Sequence, residues 1–328
     1  MNSEQAAGLA REVFGAGRRL TGLERLQGGS KKGVYRLSFE EGPSAVLYVW
    51  AEDEDYWPAD AHAEAADPFG HASGLRLFEA SRDCLSSIGV RVPALYFADR
   101  SRRHCPGDVA VIEDVRGGTL EELLRDDPVK GERVLDRLAV ALEAMGRHRS
   151  ASVGKVAEPT TRAAVEVVRG RALRDLDEAA RRVGEIREVR REFEAAVREM
   201  ADAVEERTDY GLIHGELGPD HVLVDEDGEP VLIDIEGAMF FDVEWEYVFL
   251  GLRFEERHYE RLRPVELDEG RMRFYRLAQH LSLVAGPLRL LDGDFPAARR
   301  GFMRAIATTH TRLAREFLRG IARAREID

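Results

Sequence analysis

Four ionisable side chains stand at fixed distances in LIHGELGPDHVLVDEDGEPVLIDIEG, the segment from residue 212 to residue 237. His214, Glu216 and His221 form the pattern H-x-E-x4-H, and Asp234 follows His221 by 13 residues. Between the last two, apolar runs flank the turn DEDGEP, which predicts a β-hairpin. Because a hairpin brings its two ends together, we expect the groups that flank it to converge on one site. Convergent carboxylates and imidazoles suit metal-assisted chemistry.

The chain before this hairpin is predicted to be rich in strands, with one helix among them. Short apolar runs alternate with glycine-rich or acidic turns, which is typical of antiparallel strands. The helix is predicted from the spacing of Leu75, Phe78 and Leu85, and Gly89 stands where it would end. The predicted strands lie in LERLQ, GVYRLSF, SAVLYVW, RVPALYFAD and DVAVIEDV.

The character of the sequence changes near residues 115–119. Thr119 and Glu122 form a capping box, and helical periodicity dominates from there to residue 208 and again after the hairpin. We therefore predict an α+β protein. A β-rich domain would occupy residues 1–115, and a mainly helical domain that carries the hairpin would occupy residues 116–328.

Composition narrows the class of partner. The chain has 328 residues and a formal net charge of −13, which argues against a general nucleic-acid surface and is compatible with a cationic small ligand. No apolar run reaches the ~20 residues that span a bilayer, and no signal-peptide core is seen, so we expect a cytoplasmic protein without a membrane partner. Two cysteines are too few for a disulfide framework. No pattern indicates an oligomeric state.

The motif HGELGPDH and the later Asp234 resemble the catalytic segment of the kinase-like phosphotransferases, in particular the aminoglycoside phosphotransferase and choline kinase relatives. Protein kinases carry H-R-D-L-x-x-x-N and then a metal-binding aspartate after a hairpin. The small-molecule branch writes H-G-D and ends the second strand with IDWE. This chain reads IDIE there, and FDVEWEYVFL follows in place of a GDP..DLA pattern. The resemblance is strongest from residue 205 to 250, extends back to residue 20 and is absent beyond 255.

This resemblance implies a bilobal protein-kinase-like fold, with a β-rich N-lobe and a mainly helical C-lobe that bind ATP and Mg²⁺ between them. Phosphoryl transfer depends on positioning and electrostatic stabilisation more than on covalent help from the protein. Glu216 would orient and deprotonate the acceptor hydroxyl, and Asp234 would hold Mg²⁺, which prefers oxygen ligands. His221 would stand at the second metal-binding position, and His214 would brace the loop.

The stretch GGSKKGVYRL would form the glycine-rich loop over the ATP phosphates, because glycine permits close backbone approach and lysine supplies positive charge. The predicted phosphate-binding residues are Gly29, Ser30, Lys31 and Lys32. The stretch is neither a Walker A loop nor G-x-G-x-x-G, and a plain hairpin turn remains an alternative interpretation. Backbone groups from Glu113 to Val115 would pair with the adenine edge.

Three positions depart from the family pattern. Glu216 stands where the family has aspartate, and its extra methylene moves the carboxylate by ~1.5 Å, a displacement that matters for catalysis. His221 stands where the family has asparagine, and imidazole suits Mg²⁺ poorly. The strand AVLYVW has no lysine that would bind phosphates and pair with Glu79 of the helix. Lys31 or Lys32 is the candidate replacement.

Three functions remain open on these grounds. The first is a divergent, active kinase that phosphorylates a hydroxyl of a small molecule, such as an aminoglycoside-like antibiotic or another polar metabolite. The second is a catalytically impaired pseudokinase that binds nucleotide or another ligand without transfer. The third is a metal-dependent hydrolase built on the two histidines, Glu216 and Asp234, although the sequence has neither H-E-x-x-H nor CxxC.

Three acidic residues follow the hairpin: Asp242, Glu244 and Glu246. The family pattern implies that the first of them braces the catalytic loop. The other two line a pocket for a cationic acceptor or are solvated residues of a helix, and the sequence leaves both interpretations open.

Overall fold

The computed structural model describes residues 1–26, 29–57, 67–264 and 266–325. Its strands are β1 (Leu20–Arg25), β2 (Gly33–Phe39), β3 (Ala45–Trp50), β4 (Leu95–Asp99), β5 (Asp108–Glu113), β6 (Arg149–Ser150), β7 (Val153–Lys155), β8 (Glu158–Thr160), β9 (Tyr210–Ile213), β10 (Val222–Val224), β11 (Pro230–Leu232) and β12 (Met239–Phe241). Its helices are α1 (Ser3–Phe14), α2 (Leu75–Ser87), α3 (Leu120–Asp126), α4 (Pro128–Arg147), α5 (Ala164–Arg182), α6 (Gly184–Glu188), α7 (Arg190–Asp202), α8 (Val243–Arg253), α9 (Glu256–Leu262), α10 (Glu269–Leu290) and α11 (Arg300–Arg325).

The chain forms two compact units, and each is built from several stretches of sequence. The first consists of Met1–Tyr56, His71–Met145 and Gly218–Ala238. The second consists of Trp57–Gly70, Gly146–Leu217 and Met239–Asp328. Within the described ranges, no helix combines the length and the apolar character that crossing a membrane requires.

The sheet of the first unit is antiparallel, as the strand pattern of the sequence predicts. Its strand order is β1-β2-β3-β5-β4. Successive side chains of a strand point to opposite faces of the sheet, so one strand supplies two packing surfaces. Leu37 and Leu47 pack on one face against Leu9 of α1. Tyr48 and Phe78 of α2 meet edge to face, with ring centres 5.6 Å apart.

The hairpin β10–β11 belongs to the first unit and is hydrogen-bonded to it at both strands. The N–H of Leu232 donates to the carbonyl of Arg91 at 2.9 Å, and the N–H of Val224 donates to the carbonyl of Gly118 at 3.0 Å. A Cβ on Gly117 would lie 1.9 Å from the carbonyl oxygen of Val224, so this close approach requires glycine. Just beyond it, the predicted capping box of Thr119 is present and begins α3.

The second unit is mainly helical. Its long helix α10 packs against α5, α8 and α11, and Phe274 and Tyr275 of α10 are fully buried. It also contains an antiparallel sheet with the order β6-β9-β12-β7-β8. Helices dominate residues 119–208, as the sequence predicts, but three strands that it did not indicate, β6, β7 and β8, lie between α4 and α5. Each of these strands has only two or three residues, too few to show an alternating pattern.

Candidate functional site

Asp234 stands two residues after the end of β11, where the chain leaves the hairpin. Its backbone has φ 57° and ψ 40°, the left-handed conformation, which is uncommon for a residue other than glycine. Aspartate tolerates this conformation better than most residues, because its short polar side chain can hydrogen-bond locally. Asp234 is the N-terminal flanking residue of a short 3-10 helix, Ile235–Gly237, that contains Glu236.

Lys32 places a buried ammonium group against both of these carboxylates. Its Nζ lies 2.7 Å from Oδ1 of Asp234 and 2.5 Å from Oε1 of Glu236. Burial alone would favour neutral lysine, but the two carboxylates outweigh it and raise the pKa of Lys32. Burial also opposes the charge of Asp234, yet the Lys32 ammonium and the nearby His221 hold its pKa well below its usual range. Lys32 and Asp234 are therefore both charged at neutral pH.

The hairpin brings His221 to the same place from its other end. Nε2 of His221 lies 3.6 Å from Oδ2 of Asp234 and 3.9 Å from the carboxylate of Asp220. The N–H of Ile233 donates to the carbonyl of His221 at 3.1 Å, which closes the two ends of the hairpin onto each other. The expected convergence of groups that flank a hairpin thus holds for this pair.

The donor set around Asp234 fits magnesium. Mg²⁺ keeps several waters and is usually held by one or two carboxylates together with substrate phosphates, rather than by an all-protein cage. The carboxylates of Asp234 and Asp220, which both lie within 4 Å of His221, are hard oxygen donors of that kind, whereas the imidazole of His221 is a softer one. Among the residues that the structure describes, no three His, Cys, Asp or Glu side chains are grouped as a metal-binding cluster.

The glycine-rich loop precedes β2 and is tied down by its backbone. Gly29 has φ 59°, and a Cβ there would lie 2.8 Å from the carbonyl oxygen of Lys32. The carbonyl of Ser30 accepts a hydrogen bond from the N–H of Tyr56, and that of Lys31 accepts one from the Ser73 hydroxyl. These contacts fix the two residues that precede Lys32. The first glycine of the stretch, at position 28, lies outside the described residues.

Glu113 closes β5, and its side chain serves the fold. Its carboxylate pairs with Arg91 at 2.6 Å and accepts the N–H of Ala94, while its own N–H donates to the Ala94 carbonyl. Burial opposes the charge of Glu113, but these contacts lower its pKa. Val115 is buried. The pairing of adenine with the backbone from Glu113 to Val115 remains a prediction.

His214 and Glu216 stand in the second unit, on the loop that follows β9. His214 is buried and Glu216 is exposed. The Glu216 N–H points to Nδ1 of His214 at 3.4 Å, which is a long hydrogen bond. The carboxylate of Glu246 in α8 accepts the N–H of Gly215 at 2.7 Å and so braces the loop between them. That Glu216 and Asp234 converge on one site remains a prediction.

The three acidic residues after the hairpin are buried, and the interpretation of Glu244 and Glu246 as solvated is wrong. Burial, with a further contribution from the Glu216 charge, raises the pKa of Glu246 to about 7 against the stabilising N–H contacts from the loop. Asp242 and Glu244 instead form ion pairs with Arg207. Asp242 also accepts a hydrogen bond from the hydroxyl of Tyr275. The loop is thus braced by the third acidic residue, whereas the family pattern implied the first.

The ammonium of Lys32 lies over β3, the strand in which the sequence has no lysine. Tyr48 of β3 lies beneath the ammonium, which is 4.5 Å from the centre of its ring. Glu79 of α2, the glutamate that would pair with a strand lysine in the family pattern, pairs instead with Arg100. The IDIE pattern was the only signal for Glu236, and no motif pointed to Tyr48.

Comparison with solved structures gives the same fold. Choline kinase LicA from Streptococcus pneumoniae has a TM-score of 0.61 at 12% identity, with 97% of this chain and 98% of that chain covered. A thermostable mutant of aminoglycoside phosphotransferase APH(4)-Ia in its apo form has a TM-score of 0.60 at 16% identity, with 93% and 98% covered. The same enzyme in ternary complex with AMP-PNP and hygromycin B has a TM-score of 0.57 at 16% identity, with 94% and 98% covered. The α+β, protein-kinase-like fold with a β-rich N-lobe and a helical C-lobe is therefore confirmed.

Sequence comparison identifies the family independently of these structures. No curated protein matches the sequence. The family model described as "Phosphotransferase enzyme family", abbreviated APH, matches residues 22–286, which is most of the chain. The match includes the glycine-rich loop, the hairpin and the loop of Glu216, and by it the chain belongs to the APH phosphotransferase family.

Proposed function

We propose that this protein is an ATP- and Mg²⁺-dependent phosphotransferase that transfers the terminal phosphoryl group to a hydroxyl of a small molecule. The observation that carries the proposal is the cluster of Lys32, His221 and Asp234 in a chain of the phosphotransferase family. A lysine for the phosphates and a carboxylate for the metal are the groups that phosphoryl transfer requires. They come together here although they are 202 residues apart in sequence.

Each residue of the site has a distinct role in this proposal. Lys32 binds phosphate oxygens, and Asp234, with His221 beside it, would hold magnesium, which would neutralise phosphate charge there. Glu216 is exposed on a loop braced by Glu246, as a residue that meets an incoming substrate must be. There it orients the acceptor hydroxyl and takes its proton. His214 is the buried brace of that loop.

The relatives suggest the class of acceptor. One similar structure is a choline kinase, and another holds hygromycin B together with AMP-PNP. The net charge of −13 suits attraction of a cationic acceptor to this chain. We therefore propose a polar, cationic small molecule with a free hydroxyl, such as an aminoglycoside-like antibiotic or another polar metabolite, as the first acceptors to test.

Replacing Glu216 by glutamine tests the proposal. The exchange keeps the size of the side chain and removes its capacity to accept a proton. We expect Glu216→Gln to abolish ATP-dependent phosphorylation of the acceptor found with the wild type, while the affinity for ATP stays within about twofold. Full activity in this variant would remove Glu216 from the mechanism.

The pseudokinase is the second candidate, and one observation favours it. The Lys32 ammonium forms an ion pair with Asp234, as an ammonium that substitutes for the metal cation would do. Thermal shift with ATP separates the two candidates. Stabilisation that is the same with and without Mg²⁺, together with no transfer to a broad acceptor panel, would favour the pseudokinase. Tightly held zinc or iron in the purified protein would instead support the hydrolase.

A further inference from the structure

Glu236 is the more deeply buried of the two carboxylates that hold Lys32. The Glu236 side chain is 6% exposed, and that of Asp234 is 38% exposed. Both lie at hydrogen-bond distance from the same Nζ. A ligand that arrives from solvent can therefore reach Asp234, whereas Glu236 faces the interior and the ammonium.

The position of the ammonium is defined from three sides. Glu236 and Asp234 contact it as acceptors, and the face of Tyr48 lies 4.5 Å away. An aromatic face attracts a cation through its quadrupole, so the tyrosine adds to the attraction of the carboxylates. Since Lys32 itself precedes β2, none of this depends on a lysine in β3.

We propose that Glu236 is the positioning residue that holds the Lys32 ammonium over Tyr48, so that Lys32 can bind the nucleotide phosphates. Asp234 cannot hold Lys32 and bind a metal with the same oxygen, whereas Glu236 remains a partner of Lys32 in both situations. This inference rests on the proposed function, because it assumes that the nucleotide binds at this cluster. It assigns to Glu236 the role that Glu79 of α2 does not fill, since Glu79 pairs with Arg100.

The alternative role for Glu236 is that of a second metal ligand. The two roles differ in how they depend on metal and on Lys32. A positioning residue acts through Lys32, so its loss has no effect once Lys32 is gone, and the effect is present without metal. A metal ligand acts independently of Lys32 and only when the metal is present.

A double-mutant cycle on ADP binding, measured by calorimetry with EDTA and with Mg²⁺, separates these roles. The variants are Lys32→Met, Glu236→Gln and their combination, with Glu79→Gln as the matched control. In EDTA we expect each single variant to weaken ADP binding by about tenfold or more, since each disrupts a buried charge pair. We expect the combination to be no weaker than Lys32→Met alone and the control to bind like the wild type. Glu236→Asp, which keeps a carboxylate, should retain more affinity than Glu236→Gln.

Additive losses in the cycle would overturn the inference, and so would a loss in Glu236→Gln that occurs only with Mg²⁺. If Glu236→Gln does not fold, the same comparison is made between Glu236→Asp with and without Lys32→Met, which keeps the buried carboxylate. A wild-type protein that binds ADP under neither condition would overturn the proposed function together with this inference. Wild-type binding with an additive cycle overturns this inference alone.

Discussion

The ammonium nitrogen of Lys32 lies 4.5 Å from the centre of the Tyr48 ring, and both side chains are buried. Tyr48 belongs to β3, and Lys32 immediately precedes β2, the neighbouring strand of the same sheet. A side chain that starts at position 48 therefore reaches the region in which the ammonium lies. A lysine placed at position 48 of β3 can therefore be tested as a replacement for Lys32.

Moving the lysine from position 32 to position 48 should restore part of the nucleotide affinity. We expect Lys32→Met to weaken ATP binding by about tenfold or more, because a buried charge partner of the phosphates is lost. Adding Tyr48→Lys should recover part of that loss. Lys32→Met with Tyr48→Phe is the control, since it keeps a ring and supplies no amine. Equal affinity of the two double variants would show that the ammonium over β3 does not contribute to binding.

Glu246 should make the free energy of unfolding decrease as the pH rises from about 4.5 to 7. Its pKa rises from its ordinary 4.5 to about 7 in the fold, so the protonated form favours folding. That contribution is complete below about pH 4.5 and is lost as the pH rises through 7. Because Glu246→Gln stays neutral, we expect it to gain up to about 3 kcal/mol relative to the wild type between these limits. Denaturant unfolding from pH 4.5 to 8 measures the difference, and a pH-independent difference would contradict it.

His221→Asn should lower the magnesium requirement. An amide oxygen is a harder ligand than an imidazole nitrogen and suits Mg²⁺ better. We expect the concentration of Mg²⁺ at half-maximal stabilisation by ATP in a thermal-shift titration to fall several-fold. Asp234→Asn should abolish the additional stabilisation that Mg²⁺ gives with ATP. EDTA should abolish that stabilisation in the wild type. An unchanged requirement in His221→Asn would place the imidazole outside the metal site.

The contact between the hairpin and the glycines before α3 should be sensitive to a single methyl group. A Cβ at position 117 would overlap the carbonyl oxygen of Val224, so Gly117→Ala forces the hairpin away. We expect a loss of about 2 kcal/mol or more in the free energy of unfolding. Gly8→Ala is the control: it lies within α1 with no atom near its Cβ, and alanine should add up to about 1 kcal/mol. Equal stability of both variants would contradict the contact.

Much of the framework could be predicted from the sequence, because each of its elements carries a local signal. The alternation in β2, the apolar run of β3, the capping box at Thr119 and the turn of the hairpin all depend on residues close together in the chain. Lys32 could be named only as one of two candidates with Lys31. The choice depends on Asp234, which is 202 residues away and in contact only after folding.

Buried charges were the least predictable part of the site. Glu246 stands in a helix whose letters suit a solvated face as well as a buried one, and its partner is a backbone N–H that leaves no trace in the sequence. Glu236 gave a pattern, IDIE, but no indication that its partner would be a lysine from the glycine-rich loop. Partners of these kinds are defined by tertiary structure alone.

A crystal structure with AMP-PNP, magnesium and an acceptor tests the central claim most directly, because it locates Glu216 and Asp234 relative to one nucleotide. We predict that an Asp234 oxygen contacts the metal on the phosphates and that the Glu216 carboxylate faces the acceptor hydroxyl beside the terminal phosphate. A structure in which Glu216 faces away from that phosphate, or in which the nucleotide binds away from Lys32 and Asp234, would contradict the account.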